Sequence, residues 1–128
     1  MSTAEAPERL LLQYRLVSGV AVVSASGEVD VATCGLLRGA LLRVVTDENY
    51  RGLVVNLAGV TFIDSTGIGV LVGVWRRVRA TDGGLAVAMP SSPVQRVLNT
   101  TGLTKVLSVY SLEADAVQAC VRRSKHAG

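Results

Sequence analysis

The stretch RGLVVNLAG, residues 51–59, limits what this chain can become more than any other part of it. Its apolar residues do not alternate with polar ones, as they would in a strand with one wet face. A short continuous apolar run between turn formers is the pattern of a central strand buried on both faces, and such strands belong to mostly parallel sheets that bear helices. The neighbouring segments agree. LLLQYRLV (10–17) and VAVVSASG (20–27) read as two strands of an initial hairpin turning at Ser18-Gly19. From Val29 the spacing becomes helical, with Leu36, Leu37, Ala40, Leu41, Val44 and Val45 on one stripe and Asp30 or Thr33 available as the cap. A second helix is expected from about Ser65 to Thr81 and a strand in GGLAVAMP (83–90). A third helix is expected in SSPVQRVLNTTG (91–102), with Ser92 as N-cap, Pro93 at its first position and Gly102 just past its end. TKVLSVY (104–110) reads as the last strand, and SLEADAVQACVRR (111–123) as a closing amphipathic helix.

The order β-β-α-β-α-β-α-β-α, with short connections, predicts an α/β fold: one mixed, mostly parallel five-stranded sheet with about four helices. A chain of 128 residues with 49% apolar content suits one domain, able to bury roughly two thirds of the surface its unfolded form exposes. That domain is expected over residues 10–123, between a flexible tail at 1–9 and a short C-terminal tail at 124–128. Aromatics are only 4% of the residues, so Val, Leu, Ala and Ile must build the core, with Phe62 and Trp75 as its large pieces.

Several function classes drop out. No apolar run approaches the roughly 20 residues of a membrane-crossing helix, and MSTAEAPER lacks a basic start followed by an apolar segment, so a cytoplasmic protein is expected. Cys34 and Cys120 lie far apart with no CxxC pair, which matches neither a disulfide framework nor a zinc pattern; a redox-switch disulfide between them stays open. The net charge of +3 comes from 13 basic and 10 acidic residues, and the clusters WRRVR and RRSKHAG are too sparse, and too poor in aromatics, to argue for nucleic acid. A serine nucleophile needs a base, yet the only histidine is His126 in the polar tail. Ile63 stands where a nucleophile elbow needs its first glycine, no SxxK follows Ser65, and no GK[ST] exists for a phosphate loop. No enzyme, metal site or cofactor is expected.

What remains is the junction GVTFIDSTGIGVLVGVWRR (59–77), where a strand gives way to a helix at Asp64-Ser65-Thr66. All three are good cap residues, and a cap needs only one of them. The helix that follows contains Gly67, Gly69 and Gly73, each costing roughly 1 kcal/mol relative to alanine. A helix N-terminus also tolerates a phosphate, because free N–H groups and the positive dipole end face it. Spacing puts Ile68, Leu71, Val72, Trp75 and Val78 on a sheet-facing stripe and leaves Val70 and Val74 on another face beside Gly73, either as a docking surface or as a second layer of core.

The stretch VVNLAGVTFIDSTGIGVLV resembles the signature of the STAS domain family, named for sulphate transporters and anti-sigma factor antagonists, whose bacterial regulators carry a D-S-[ST]-G-[LI]-G turn between an apolar strand and an apolar helix. The similarity extends from about Leu11 to Val121 and includes GEVDVAT (27–33) and TGLTKVL (101–107). It implies a STAS-like fold and an anti-sigma factor antagonist that binds an anti-sigma factor serine kinase and so releases a sigma factor. Ser65 would be the site that this ATP-dependent kinase phosphorylates, with a phosphatase to reverse it. Asp64 would present the hydroxyl, Thr66 match the second hydroxyl, Gly67 and Gly69 match the turn glycines, and Asp30 lie near the serine and contact the kinase, helix capping being its other reading. Asn56 departs from the aspartate that many members carry before the leucine of that strand. A non-phosphorylated STAS module in a larger regulatory or transport-associated assembly is the alternative, and an orphan enzyme or small-ligand domain a more distant one.

Overall fold

The computed structural model describes residues 9–81 and 83–127. Its elements are β1 (Leu10–Val17), β2 (Val20–Val29), α1 (Cys34–Val45), β3 (Leu53–Ile63), α2 (Ser65–Val78), β4 (Leu85–Ala88), α3 (Ser92–Thr100), a 3-10 turn (Leu103–Lys105), β5 (Ser108–Tyr110) and α4 (Glu113–Ala127). The five strands lie in chain order across one sheet. β1 and β2 form the antiparallel hairpin, and β2, β3, β4 and β5 run parallel. The expected α/β architecture with its initial hairpin and mixed sheet is the one observed.

The apolar run in β3 works as its pattern implies. Leu53, Val55 and Leu57 join Ala21, Val23, Leu85 and Val87 in the larger core cluster, against Leu37 and Leu41 of α1, Leu71 and Val74 of α2, and Val94 and Leu98 of α3. Val54 looks the other way and meets Val20, Val22, Ala86 and Ala88, which Ala116, Val117 and Cys120 of α4 cover. Three helices therefore close one face of the sheet and α4 the other, and each fully buried leucine contributes roughly 1.5–3 kcal/mol. Cys34 packs against the larger cluster and Cys120 sits in the smaller, so the sheet stands between the two thiols and rules out a disulfide joining them.

Particular expectations fail for local reasons. Ser91, not Ser92, is the N-cap residue of α3; its hydroxyl donates to the Val60 carbonyl, and Pro93 falls at the second helical position. Thr33 occupies the N-cap position of α1 without capping it; its hydroxyl donates to the Glu28 carbonyl. The first half of TKVLSVY closes the 3-10 turn, leaving β5 only three residues long. α4 continues beyond Arg123 to Ala127. Of the tail expected at residues 1–9, only Arg9 is among the described residues. Phe62 is 48% exposed instead of buried, and Leu36 of the α1 stripe is 57% exposed, while Trp75 is partly buried with the Arg79 guanidinium 4.8 Å above its ring.

Asn56 has a structural task. Its side-chain oxygen accepts from the Ala58 N–H (3.0 Å), and its amide donates to the Glu113 carboxylate at the start of α4 (2.9 Å), which Arg15 also grips at 2.6 Å. Arg15 first and Asn56 second hold the Glu113 carboxyl below the usual glutamate range. An aspartate at 56 would face Glu113 with a second carboxylate, so Asn56→Asp should destabilise the protein by roughly 1–3 kcal/mol at pH 7. The penalty shrinks in acid. In the wild type the depressed Glu113 pKa gives stability that is present above the unfolded value and lost as pH falls through the folded one; in the variant the paired carboxylates titrate high, and protonating one of them relieves the repulsion. Urea unfolding at pH 7 and about pH 4 should show the gap between the two proteins narrowing in acid; a constant gap would refute the contact.

Candidate functional site

β3 reaches the junction along a bent path. Its parallel register with β2 slips twice, Ser24 and Ser26 facing Asn56 and Gly59, and Gly27 and Glu28 facing Val60 and Phe62. Bulges of this kind bend a strand and re-aim its end. The end then docks on β2 through the Asp64 N–H, which donates to the Val29 carbonyl at 3.1 Å. The acidic residue after Val29, Asp30, is thereby brought beside Asp64, and its charge opposes ionisation there.

The three polar side chains of the turn divide the work. Asp64 is the N-cap of α2, its Oδ1 accepting from the Thr66 N–H (2.9 Å) and the Gly67 N–H (3.2 Å). The Thr66 hydroxyl donates to the same oxygen. That hydroxyl first, then the two N–H groups, hold the Asp64 carboxyl below the usual aspartate range against burial and the charge of Asp30. Ser65, at the first helical position, is exposed, and its hydroxyl makes no hydrogen bond to a described residue. One side chain caps, the second braces the cap, and the third is left to solvent.

Asp30 is fastened rather than free. Its Oδ1 accepts from the N–H groups of Ala32 (2.9 Å) and Thr33 (3.2 Å), shaping the loop into α1 without capping that helix, and its Oδ2 accepts from the Arg9 guanidinium. Burial works to raise its pKa, but hydrogen bonds from Arg9 and Ala32 and the charge of Arg9 outweigh it and leave the carboxyl below the usual range. Arg9 also pairs with Glu28 at 2.7 Å. Neither partner was singled out from the sequence: Arg9 fell in a segment read as tail, and only its spacing opposite GEVD across the hairpin could have placed it.

The two turn glycines differ. A Cβ on Gly67 would lie 2.6 Å from Val29 Cγ1 and 2.7 Å from Ile63 Cγ1, so α2 seats against the ends of β2 and β3 only because that position is bare. A Cβ on Gly69 would meet nothing within 4 Å. Val70 and Val74 do not form a free second face: they are 9% and 2% exposed and belong to the larger core. The exposed apolar side chains near the turn are Val31 (76%), beside Asp30, and Phe62, two residues before Asp64. Among the described residues, no cluster of three or more His, Cys, Asp or Glu could hold a metal, and no helix is long and apolar enough to cross a membrane.

Residues 12–116 match the STAS domain profile. The chain belongs to the STAS domain family. Within that family it groups with the anti-sigma factor antagonists. It is 31% identical over 99 residues to the anti-sigma F factor antagonist of Paenibacillus polymyxa, covering 77% of this chain and 85% of that protein. It is 30% identical to the anti-sigma-F factor antagonist RsfB of Mycobacterium tuberculosis, over 88% of this chain and 90% of that one. A crystal structure of an anti-sigma factor antagonist from Mycobacterium paratuberculosis superposes with a TM-score of 0.81 at 32% identity, covering 90% of this chain and 97% of that one. The STAS match runs from within β1 through β5 and takes in α1 to α3, so the Asp64-Ser65-Thr66 turn lies well inside it.

Proposed function

We propose that this STAS domain is an anti-sigma factor antagonist whose partner is an anti-sigma factor with ATP-dependent serine kinase activity, and that phosphorylation of Ser65 switches its binding off. The observation that carries this reading is the idle, solvent-facing Ser65 hydroxyl between a cap already supplied by Asp64 and the brace supplied by Thr66. Phosphate can be added there without breaking a bond that the fold uses. In the unphosphorylated protein the surface offered to the partner is the turn itself, Asp30, Asp64, Ser65 and Thr66, with bare Gly69 on α2 and the exposed Val31 and Phe62 beside it. Seating the anti-sigma factor on this surface frees its sigma factor. A phosphatase restores the serine, and the exchange belongs in the cytoplasm.

The test is phosphopeptide mapping after incubation of the full chain with its anti-sigma factor and ATP. The expected product carries one phosphate, on Ser65, and Ser65→Ala stays unmodified. Phosphate on another residue would overturn Ser65 as the switch, and none with any candidate anti-sigma kinase would leave the domain as a non-phosphorylated interaction module.

A further inference from the structure

We propose that Arg9 is the counter-ion of the phosphorylated site: once Ser65 carries phosphate, the Arg9 guanidinium leaves Glu28 and turns to it. This deepens the regulatory reading of Ser65 and rests on it. The placement of Arg9 is built into the hairpin. Its carbonyl accepts from the Glu28 N–H at 2.8 Å, and it comes so close to Gly27 that a Cβ there would lie 2.0 Å from the Arg9 oxygen; Gly27 sits at φ +120°, where a side chain would be strained in any case. The end of β1 is thus held against the last residues of β2, and the side chain reaches past Glu28 to Asp30. Asp30 follows Val29, whose carbonyl accepts from the Asp64 N–H at 3.1 Å and whose partner across the strands is Ile63, so Asp30 and Asp64 leave neighbouring strand ends side by side, next to Ser65. The groups facing this cluster are Glu28, Asp30 and Thr33 from β2 and the loop before α1, Asp64 just after β3, and Arg9 just before β1.

In the unphosphorylated protein one guanidinium serves two carboxylates, and both Arg9 and Glu28 are about half exposed, so that pair is weak and screened. A phosphate brings close to two negative charges and three acceptor oxygens in the fork geometry that arginine matches best. The N–H groups of Thr66 and Gly67 cannot serve it, because Asp64 already occupies them. Among the described residues, Arg9 is the cation tied into this acidic cluster. Its move would leave the Glu28 carboxylate bare, so the change in charge spreads from the turn across the end of β2.

The experiment uses full-length protein with phosphoserine installed at position 65 during synthesis, so that no kinase is needed. Phosphorus NMR follows the second ionisation of the phosphate in the wild type, Arg9→Gln and Arg9→Lys. Loss of a paired arginine should raise the midpoint by about one pH unit in Arg9→Gln, with Arg9→Lys between the two. The same midpoint in the wild type and Arg9→Gln would overturn the proposal; an arginine that only tied down the strand end would lower the melting temperature of the phosphorylated and unphosphorylated forms alike and leave that midpoint alone. If instead the anti-sigma factor fails to phosphorylate Ser65, the functional reading falls while this titration keeps its own answer.

Discussion

Phosphorylated protein should bind the anti-sigma factor two to three orders of magnitude more weakly than the unmodified form, Ser65→Asp about one order more weakly, and Ser65→Ala about as well as the wild type. The grading follows from charge. A phosphate adds about −1.5 to −2 charges, and like charges brought together in a closed interface cost several kcal/mol, of which 3–4 kcal/mol corresponds to the larger loss. Aspartate adds one charge and roughly half the cost. The structure sharpens the argument because the neighbourhood is already acidic: the Asp64 and Asp30 carboxyls are both held below the usual aspartate range. The helix N-terminus offsets about 0.3–1 kcal/mol at an exposed site, and the N–H groups of Thr66 and Gly67 are already committed to Asp64. Titration calorimetry with the four forms measures this directly. Equal affinity for Ser65→Asp and Ser65→Ala would exclude charge as the switch. The melting temperature should barely differ among the four, since no native hydrogen bond to a described residue is lost at Ser65.

The parts of the fold that were legible in the sequence are those written in a single periodic signal. The apolar run 53–57, interrupted only by Asn56, announces a strand covered on both sides, and the hairpin at Ser18-Gly19 and the stop of α3 before Gly102 follow from turn chemistry that acts over a few residues. What could not be read depends on neighbours distant in the chain. Serine 91 and Ser92 are equivalent in sequence, and only the nearby Val60 carbonyl decides which begins α3 and what its hydroxyl does. Val70 and Val74 looked spare beside a stripe through Ile68, Leu71, Val72, Trp75 and Val78, yet the buried stripe of α2 is turned to Gly67, Val70, Leu71, Val74 and Val78, and Ile68, Val72 and Trp75 are only partly buried. Phe62 looked like core on composition alone; the double slip of β3 against β2 carries it to the surface. Of the candidate site, Asp64, Ser65 and Thr66 were legible as a group because they adjoin one helix start. Arg9 and the partnership of Asn56 with Glu113 were not, since each joins residues that meet only across the sheet.

Gly67→Ala and Gly69→Ala should change stability in opposite directions, although the two positions look alike in the motif. At Gly67 the new methyl would enter a space where Val29 Cγ1 and Ile63 Cγ1 already lie 2.6 and 2.7 Å away, and both side chains are packed in the core. Overpacking of this kind costs about 1–3 kcal/mol, with α2 pushed off the ends of β2 and β3 and the turn at Ser65 displaced with it. At Gly69 the methyl meets open space, and removing a helical glycine should raise stability by roughly 0.5–1 kcal/mol. Thermal unfolding of the two variants decides the sign, and affinity for the anti-sigma factor decides the reason. If bare Gly69 is part of the surface that the partner covers, Gly69→Ala gains stability and loses affinity; if it keeps full affinity, the partner does not sit over that turn of α2. Among the described residues the helical positions Gly35, Gly39 and Gly73 are as bare as Gly69, so the stability gain alone does not mark Gly69 out and the affinity measurement decides its role.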